Sequence, residues 1–266
     1  MTPRPLMLAL GFALALGAPA AHARPEPFDP FGAAGVDPKP GAQIPLDAAF
    51  HDQAGRPVTL RELANGKPLV IAPVQHHCPN ICGLTLEGLH EAIAGQAYKP
   101  GRDFEVVAFG IDPREGTAAA ETSEQRLAGS PPAAGVEALV GPAANIAQVT
   151  QALGYRYAWD PRIGQYAHIA AVAVLTPDGR LARWLYGVAP SPKDLHLALT
   201  DAGRGRLGDL GEQIRLLCYH YDPKTGRYSS LVMEILRAVG VALTAGLAGL
   251  IAAFLRRDRA GRSRQA

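Results

Sequence analysis

LVIAPVQHHCPNIC, residues 69–82, decides the fold. Its first half belongs to Pro68–Val74, a short apolar and partly β-branched run bounded by Gly66 and proline, the pattern of a strand buried on both faces. Behind it the period changes: Leu84, Leu86, Leu89, Ala92 and Ile93 recur every three to four positions, with Glu87, His90 and Glu91 on a wetter side, which predicts a helix. Phe104–Ile111 (FEVVAFGI) repeats the buried-strand pattern, so strand, helix and strand form a βαβ unit and the fold class is α/β. Further out the pattern predicts a helix at Ala118–Leu127, a strand at Val136–Val140, a helix at Ala143–Leu153, strands at Ala170–Leu175 and Leu181–Tyr186, and one or two helices over Asp194–Leu217. Thr176-Pro177-Asp178-Gly179 supplies the turn between the last two strands, its glycine taking the backbone angle other residues avoid.

Both ends point to export. Arg4, the apolar run Leu6–Leu16 and the small-x-small Ala21-His22-Ala23 predict a cleaved signal peptide over residues 1–23. A Pro- and Gly-bearing leader, residues 24–43, predicts an extended spacer, with order beginning near Ile44 and a folded domain over 44–217. After a juxtamembrane segment, 218–237, Ala238–Leu255 runs 18 residues without a charge. As a helix it is about 27 Å long, close to a hydrocarbon core of roughly 30 Å. Arg256, Arg257, Arg259, Arg262 and Arg264 follow in the tail 256–266 and place that end in the cytoplasm. The expectation is a single-pass inner-membrane protein with its domain in the periplasm.

The 266 residues are 48% hydrophobic and 19% charged, which excludes a wholly disordered chain. The net charge of +2 comes from the ends: the last eleven residues hold five Arg and one Asp, and Arg4 adds one positive charge, so residues 5–255 carry −3. So mildly acidic a body argues against nucleic-acid binding. Neither a Walker-type glycine run with lysine nor a G-x-G-x-x-G turn follows a strand, and no serine-hydrolase elbow is present. Three cysteines are too few for a disulfide scaffold.

Cys78 and Cys82 sit where the first buried strand opens into its helix, a usual place for a site. Four positions apart, they share one face of a helical first turn, with Cβ atoms about 5–6 Å apart. A disulfide needs nearer 4 Å, whereas a metal with sulfur bonds of about 2.3 Å bridges a wider gap, so a redox pair and a metal site are both reachable. The helix N-terminus is expected to lower the thiol pKa values. Pro79 presets the first helical residue.

This segment, followed by FGIDP (Phe109–Pro113) and by a histidine in QYAHIAAVAVLTPDG (Gln165–Gly179), resembles the Sco/SenC family over roughly residues 44–200. The resemblance implies a thioredoxin-like fold and one copper ion, Cu(I) or Cu(II), held by Cys78, Cys82 and His168. It also implies assembly of the binuclear copper centre of cytochrome c oxidase, by metal delivery to the copper-bearing subunit, by thiol-disulfide reduction through Cys78 and Cys82, or both. A copper donor protein or a thiol reductant would be a further partner, and a copper or redox sensor is a third reading. Two thiolates and an imidazole suit copper and leave an open side for transfer, whereas a closed zinc site wants a fourth ligand, for which His76 and His77 are the candidates.

The chain departs from the family pattern. Ala167 stands where many relatives carry an acidic residue before the histidine, and Gly83 where many have proline. Asp112 is expected to cap its strand end rather than join a metal site. The anchor lies at the C-terminus, where many relatives are tethered at the other end. Cys218 and His220, near the expected membrane surface, have no assigned role.

Overall fold

The computed structural model describes residues 28–39, 41–78, 81–130, 132–203, 219–222, 227–230 and 237–251. In chain order the elements that position the site are β1 (Ala49–Asp52), β2 (Pro57–Thr59), α1 (Leu60–Ala64), β3 (Leu69–Val74), α2 (Ile81–Ala94), β4 (Glu105–Gly110), α3 (Thr117–Ala128), β5 (Val136–Val140) and α4 (Ala143–Leu153). They continue as β6 (Ala158–Asp160), β7 (Gln165–Ala167), β8 (Ala171–Leu175), β9 (Leu181–Tyr186) and α5 (Pro192–Ala202).

Among the described residues seven strands form one mixed sheet in the order β9-β8-β3-β4-β5-β1-β2. β3, β4 and β5 are parallel, joined by α2 and α3, and β8 and β1 flank them antiparallel. All six residues of β3 are buried, because each face of the strand has its own cover. Val70, Ala72 and Val74 pack with Leu86 and Leu89 of α2, Leu127 of α3 and Leu195 of α5. Leu69 and Ile71 pack on the opposite side with Leu60 of α1 and Ile146 and Val149 of α4. Each such aliphatic side chain contributes roughly 1.5–3 kcal/mol relative to exposure, so the central strands carry most of the fold's stability.

Local signals explain the element ends. α1 opens on a capping box: Thr59 accepts from the Glu62 N–H and the Glu62 carboxylate accepts from the Thr59 N–H. α5 starts at Ser191, whose hydroxyl accepts from the Asp194 N–H, with Pro192 at the first helical position. Gly179 adopts φ +78° in the turn between β8 and β9, as its sequence requires.

Two sequence expectations change. The apolar spacing predicts Leu84 on the buried face of α2, yet it is 57% exposed. The buried ridge runs Cys82, Leu86, Leu89 and Ile93, and position 84, two residues from both Cys82 and Leu86, falls about 200° round the helix on the opposite face. The leader is ordered earlier than Ile44: Pro30–Ala33 is helical, and Gly35–Val36 pairs antiparallel with Tyr155–Arg156. A β1–β2 hairpin also precedes the core, closed by Asp52, which accepts from the Arg56 N–H and guanidinium. The rest of residues 24–43 is partly outside the described residues, as are the signal peptide 1–23 and most of Asp194–Leu217 beyond α5.

Tyr219–Asp222 and Arg227–Ser230 form an antiparallel hairpin in the juxtamembrane segment. Residues 237–251 are helical and exposed, with Val241 71% and Leu243 69% accessible, unlike any core helix of the domain. No helix among the described residues is long and apolar enough to cross a membrane; residues 252–255 of the expected span, and the tail 256–266, lie outside them.

Leu89→Ala opens a void in the α2 contact and is expected to lower unfolding free energy by about 2–5 kcal/mol in denaturant titration. Leu84→Ala is expected to stay within about 0.5 kcal/mol. Equal effects would mean the α2 face is misassigned.

Candidate metal centre

β3 ends at Val74, and the chain turns through Gln75–Cys78, where the Cys78 N–H donates to the Gln75 carbonyl at 3.2 Å. This short loop is held from three sides. The Glu115 carboxylate, its side chain 5% exposed, accepts from the backbone N–H of His76 at 2.9 Å and of His77 at 2.6 Å. The Gln75 side-chain oxygen accepts from the Tyr166 N–H at 3.1 Å. The His76 ring is buried and spans Ser123 Oγ at 2.8 Å and the Leu139 carbonyl at 3.0 Å. Gly110 makes room for it, since a Cβ there would stand 2.7 Å from His76 Nε2.

These contacts remove His76 from the role of a fourth zinc ligand. Both His76 nitrogens are engaged away from the cysteines, and burial, the largest influence, pushes its pKa down. The His77 side chain is 75% exposed and lies 3.9 Å from Glu115. Asp112 caps its own strand end, accepting from the Arg114 N–H at 3.0 Å and from its guanidinium at 2.8 and 2.6 Å. Burial pushes the Asp112 pKa up, but the Arg114 hydrogen bonds outweigh it and hold the carboxyl below its ordinary value. The same guanidinium lies 3.9 Å from the Trp159 ring centroid, tying this loop to the β6–β7 hairpin.

Cys82 is buried and Cys78 half-buried, and no disulfide joins them. Burial raises the Cys82 pKa well above the usual thiol value, and a hydrogen bond with Cys78 adds to this. A backbone hydrogen bond from Gln75 acts the other way and loses. The sequence expectation of a lowered pKa therefore fails for Cys82: the helix N-terminus acts over one turn, while a 2% exposed thiolate gives up its water.

His168 arrives from far along the chain. β8 runs antiparallel to β3 with Ala173 opposite Ile71 and Leu175 opposite Leu69, so the residues entering β8 lie beside the end of β3 that feeds the cysteines. His168 Nε2 stands 3.1 Å from Cys82 Sγ, and Nδ1 stands 3.0 Å from the Tyr155 hydroxyl. Burial is the main influence on the imidazole and lowers its pKa, favouring the neutral ring that ligates metals; the Ile169 backbone contact opposes it.

The structure thus places Cys82 between Cys78 and His168. Among the described residues no group of three or more His, Cys, Asp and Glu side chains is set to hold a metal ion. With bond lengths of about 2.3 Å to sulfur and 2.0 Å to nitrogen, two ligands of a tetrahedral ion stand about 3.5 Å apart. The 3.1 Å contact is a hydrogen-bond separation that must open by a few tenths of an ångström. Soft sulfur and imidazole donors fit copper in kind. Sequence reasoning did not find Glu115, Ser123 or Tyr155; only Glu115 had a signal, as the acidic residue of the D-P-R-E-G loop after β4. Cys218 lies outside the described residues, and His220 sits in a strand opposite Ser229.

A protein from Aquifex aeolicus VF5 matches with TM-score 0.56 at 23% identity, covering 62% of this chain and 95% of the other. A SCO1/SenC family lipoprotein from Bacillus anthracis str. Ames matches with TM-score 0.50 at 16% identity, covering 64% and 98%. Bradyrhizobium japonicum ScoI, solved with copper bound, matches with TM-score 0.46 at 24% identity, covering 62% and 99%. No curated protein matches by sequence. The first two show the shared thioredoxin-like α/β fold. Residues 37–200 match the SCO1/SenC family model, and the chain belongs to that family.

Proposed function

We propose that this protein holds one copper ion through Cys78, Cys82 and His168 and delivers it to the copper-bearing subunit of cytochrome c oxidase. The carrying observation is the 3.1 Å approach of His168 Nε2 to Cys82 Sγ across 86 positions of sequence, with Cys78 hydrogen-bonded to the same thiol. Two sulfurs and one nitrogen suit soft Cu(I), and a three-ligand set leaves a side open to an incoming donor. On loading, both thiol protons leave to solvent. Cys78, the more exposed sulfur, is the one an acceptor's ligand reaches first.

The exposure difference also favours a second reading, thiol-disulfide exchange. Cys78 attacks a partner disulfide, Cys82 then attacks the mixed disulfide, and the partner leaves with two thiols while Cys78 and Cys82 become a disulfide. An external thiol reductant must then reset the pair. Three residues stand between Cys78 and Cys82, where general oxidoreductases commonly have two, which makes this the lesser role.

The exposed apolar helix of residues 237–251 and the arginines behind it support anchoring, with residues 238–255 crossing the inner membrane, the domain in the periplasm and the tail 256–266 in the cytoplasm. The segment 1–23 is read as the export signal.

Anaerobic Cu(I) competition with the reduced full-length chain is expected to give tight one-to-one binding, weakened about a hundredfold or more in His168→Ala, since even residues behind the ligands cost 10–100-fold. Unchanged affinity in that variant would remove His168 from the site; absence of copper binding in both would leave thiol exchange as the function. For the anchor, the full chain is expected to stay with membranes through alkaline carbonate, and a chain ending at residue 236 to be released. Release of both would exclude a membrane span.

A further inference from the structure

Behind His168 three heavy atoms form a triangle. The Tyr155 hydroxyl oxygen is 2.8 Å from the Ile169 carbonyl oxygen and 3.0 Å from His168 Nδ1, and Nδ1 is 3.3 Å from the same carbonyl. A carbonyl oxygen only accepts, and a phenol has one proton. The 2.8 Å oxygen-oxygen contact therefore takes the Tyr155 proton, which leaves the phenol oxygen as an acceptor. Nδ1 faces two acceptors, and only a proton on Nδ1 makes both contacts attractive. A bare Nδ1 would set its lone pair against the Ile169 carbonyl and compete with that carbonyl for the one phenol proton.

We propose that Tyr155 is a positioning residue that fixes the tautomer of His168, holding the proton on Nδ1 and leaving the Nε2 lone pair directed at Cys82. In this state Nε2 faces Cys82 Sγ across 3.1 Å as an acceptor, and the nitrogen needed for metal ligation is already bare. Tyr155 is well placed for the task. Its ring is 2% exposed and stacks on Trp184 with centroids 5.7 Å apart. Its backbone pairs with Val36, so the ordered part of the leader buttresses the residue behind the site. The tautomer assignment stands on the triangle alone; its consequence for copper rests on the proposed ligand set.

The test uses the reduced, metal-free full-length chain labelled with 15N-histidine, at a pH where His168 is neutral. The expected wild-type spectrum has a pyrrole-type shift at His168 Nδ1 and a pyridine-type shift at Nε2; the reverse pattern overturns the proposal. Tyr155→Phe keeps the ring stack and is expected to raise the Nε2–H population relative to Nδ1–H about threefold to tenfold, the worth of one hydrogen bond. Tyr157→Phe, which removes a neighbouring phenol, is expected to leave the ratio unchanged. An unchanged ratio in a folded Tyr155→Phe protein, or an equal shift in Tyr157→Phe, overturns the proposal. Should Tyr155→Phe fail to fold, replacing tyrosine by 3-fluorotyrosine weakens the phenol as an acceptor; the ratio should then move toward Nε2–H, and an unmoved ratio counts against Tyr155. Cu(I) affinity of Tyr155→Phe is expected to fall about tenfold. A wild type with the expected tautomer that binds no copper would defeat the proposed function while leaving the Tyr155 assignment standing; a tautomer shift with unchanged affinity would separate the two and overturn the link between them.

Discussion

The buried carboxylate of Glu115 receives the backbone N–H groups of both His76 and His77, the residues that hand the chain from β3 to Cys78. A carboxylate away from water is costly unless its oxygens find donors, and two backbone N–H groups of an irregular loop are costly unless they find an acceptor. Each solves the other's problem. That exchange acts with the Gln75–Tyr166 hydrogen bond and the His76 ring contacts to set the path of a loop whose residues join neither the sheet nor α2. The cysteines are thus positioned by a residue 33 positions beyond Cys82, on the loop between β4 and α3.

The same economy recurs around the site. His76, next to the cysteine loop, carries no ligand role; it fastens that loop to α3 through Ser123 and to β5 through the Leu139 carbonyl. Arg114 neutralises Asp112 and lies on Trp159, joining the β4–α3 loop to the hairpin that leads into His168. Polar groups at the strand ends find partners within the protein, and the Glu115, His76 and Arg114–Trp159 contacts tie the elements around the cysteine loop to one another.

The chemistry of the two cysteines is set by depth. Cys78 stays within reach of a partner, and Cys82, in the core beside Leu86, is held as a neutral thiol against His168. A buried thiolate is tolerable only where a positive charge stands beside it, so depth favours the neutral thiol at Cys82.

Periodicity alone located β3, α2, β4, β5, α4 and β9, because a strand buried on two faces and a helix covering one face impose different local spacings on the same apolar residues. The cysteine pair was equally legible, since its place at a strand-to-helix junction is a local fact. Resemblance supplied His168; no spacing rule reaches across 86 positions. Its approach to Cys82 is a consequence of the antiparallel register of β8 on β3, which is decided only when the whole sheet assembles. The outward turn of Leu84, the raised Cys82 pKa, and the roles of Glu115 and Tyr155 were likewise decided by the tertiary structure. Each depends on how much water the neighbouring elements exclude and on which donors and acceptors remain unpaired once they have packed, quantities that no single segment carries.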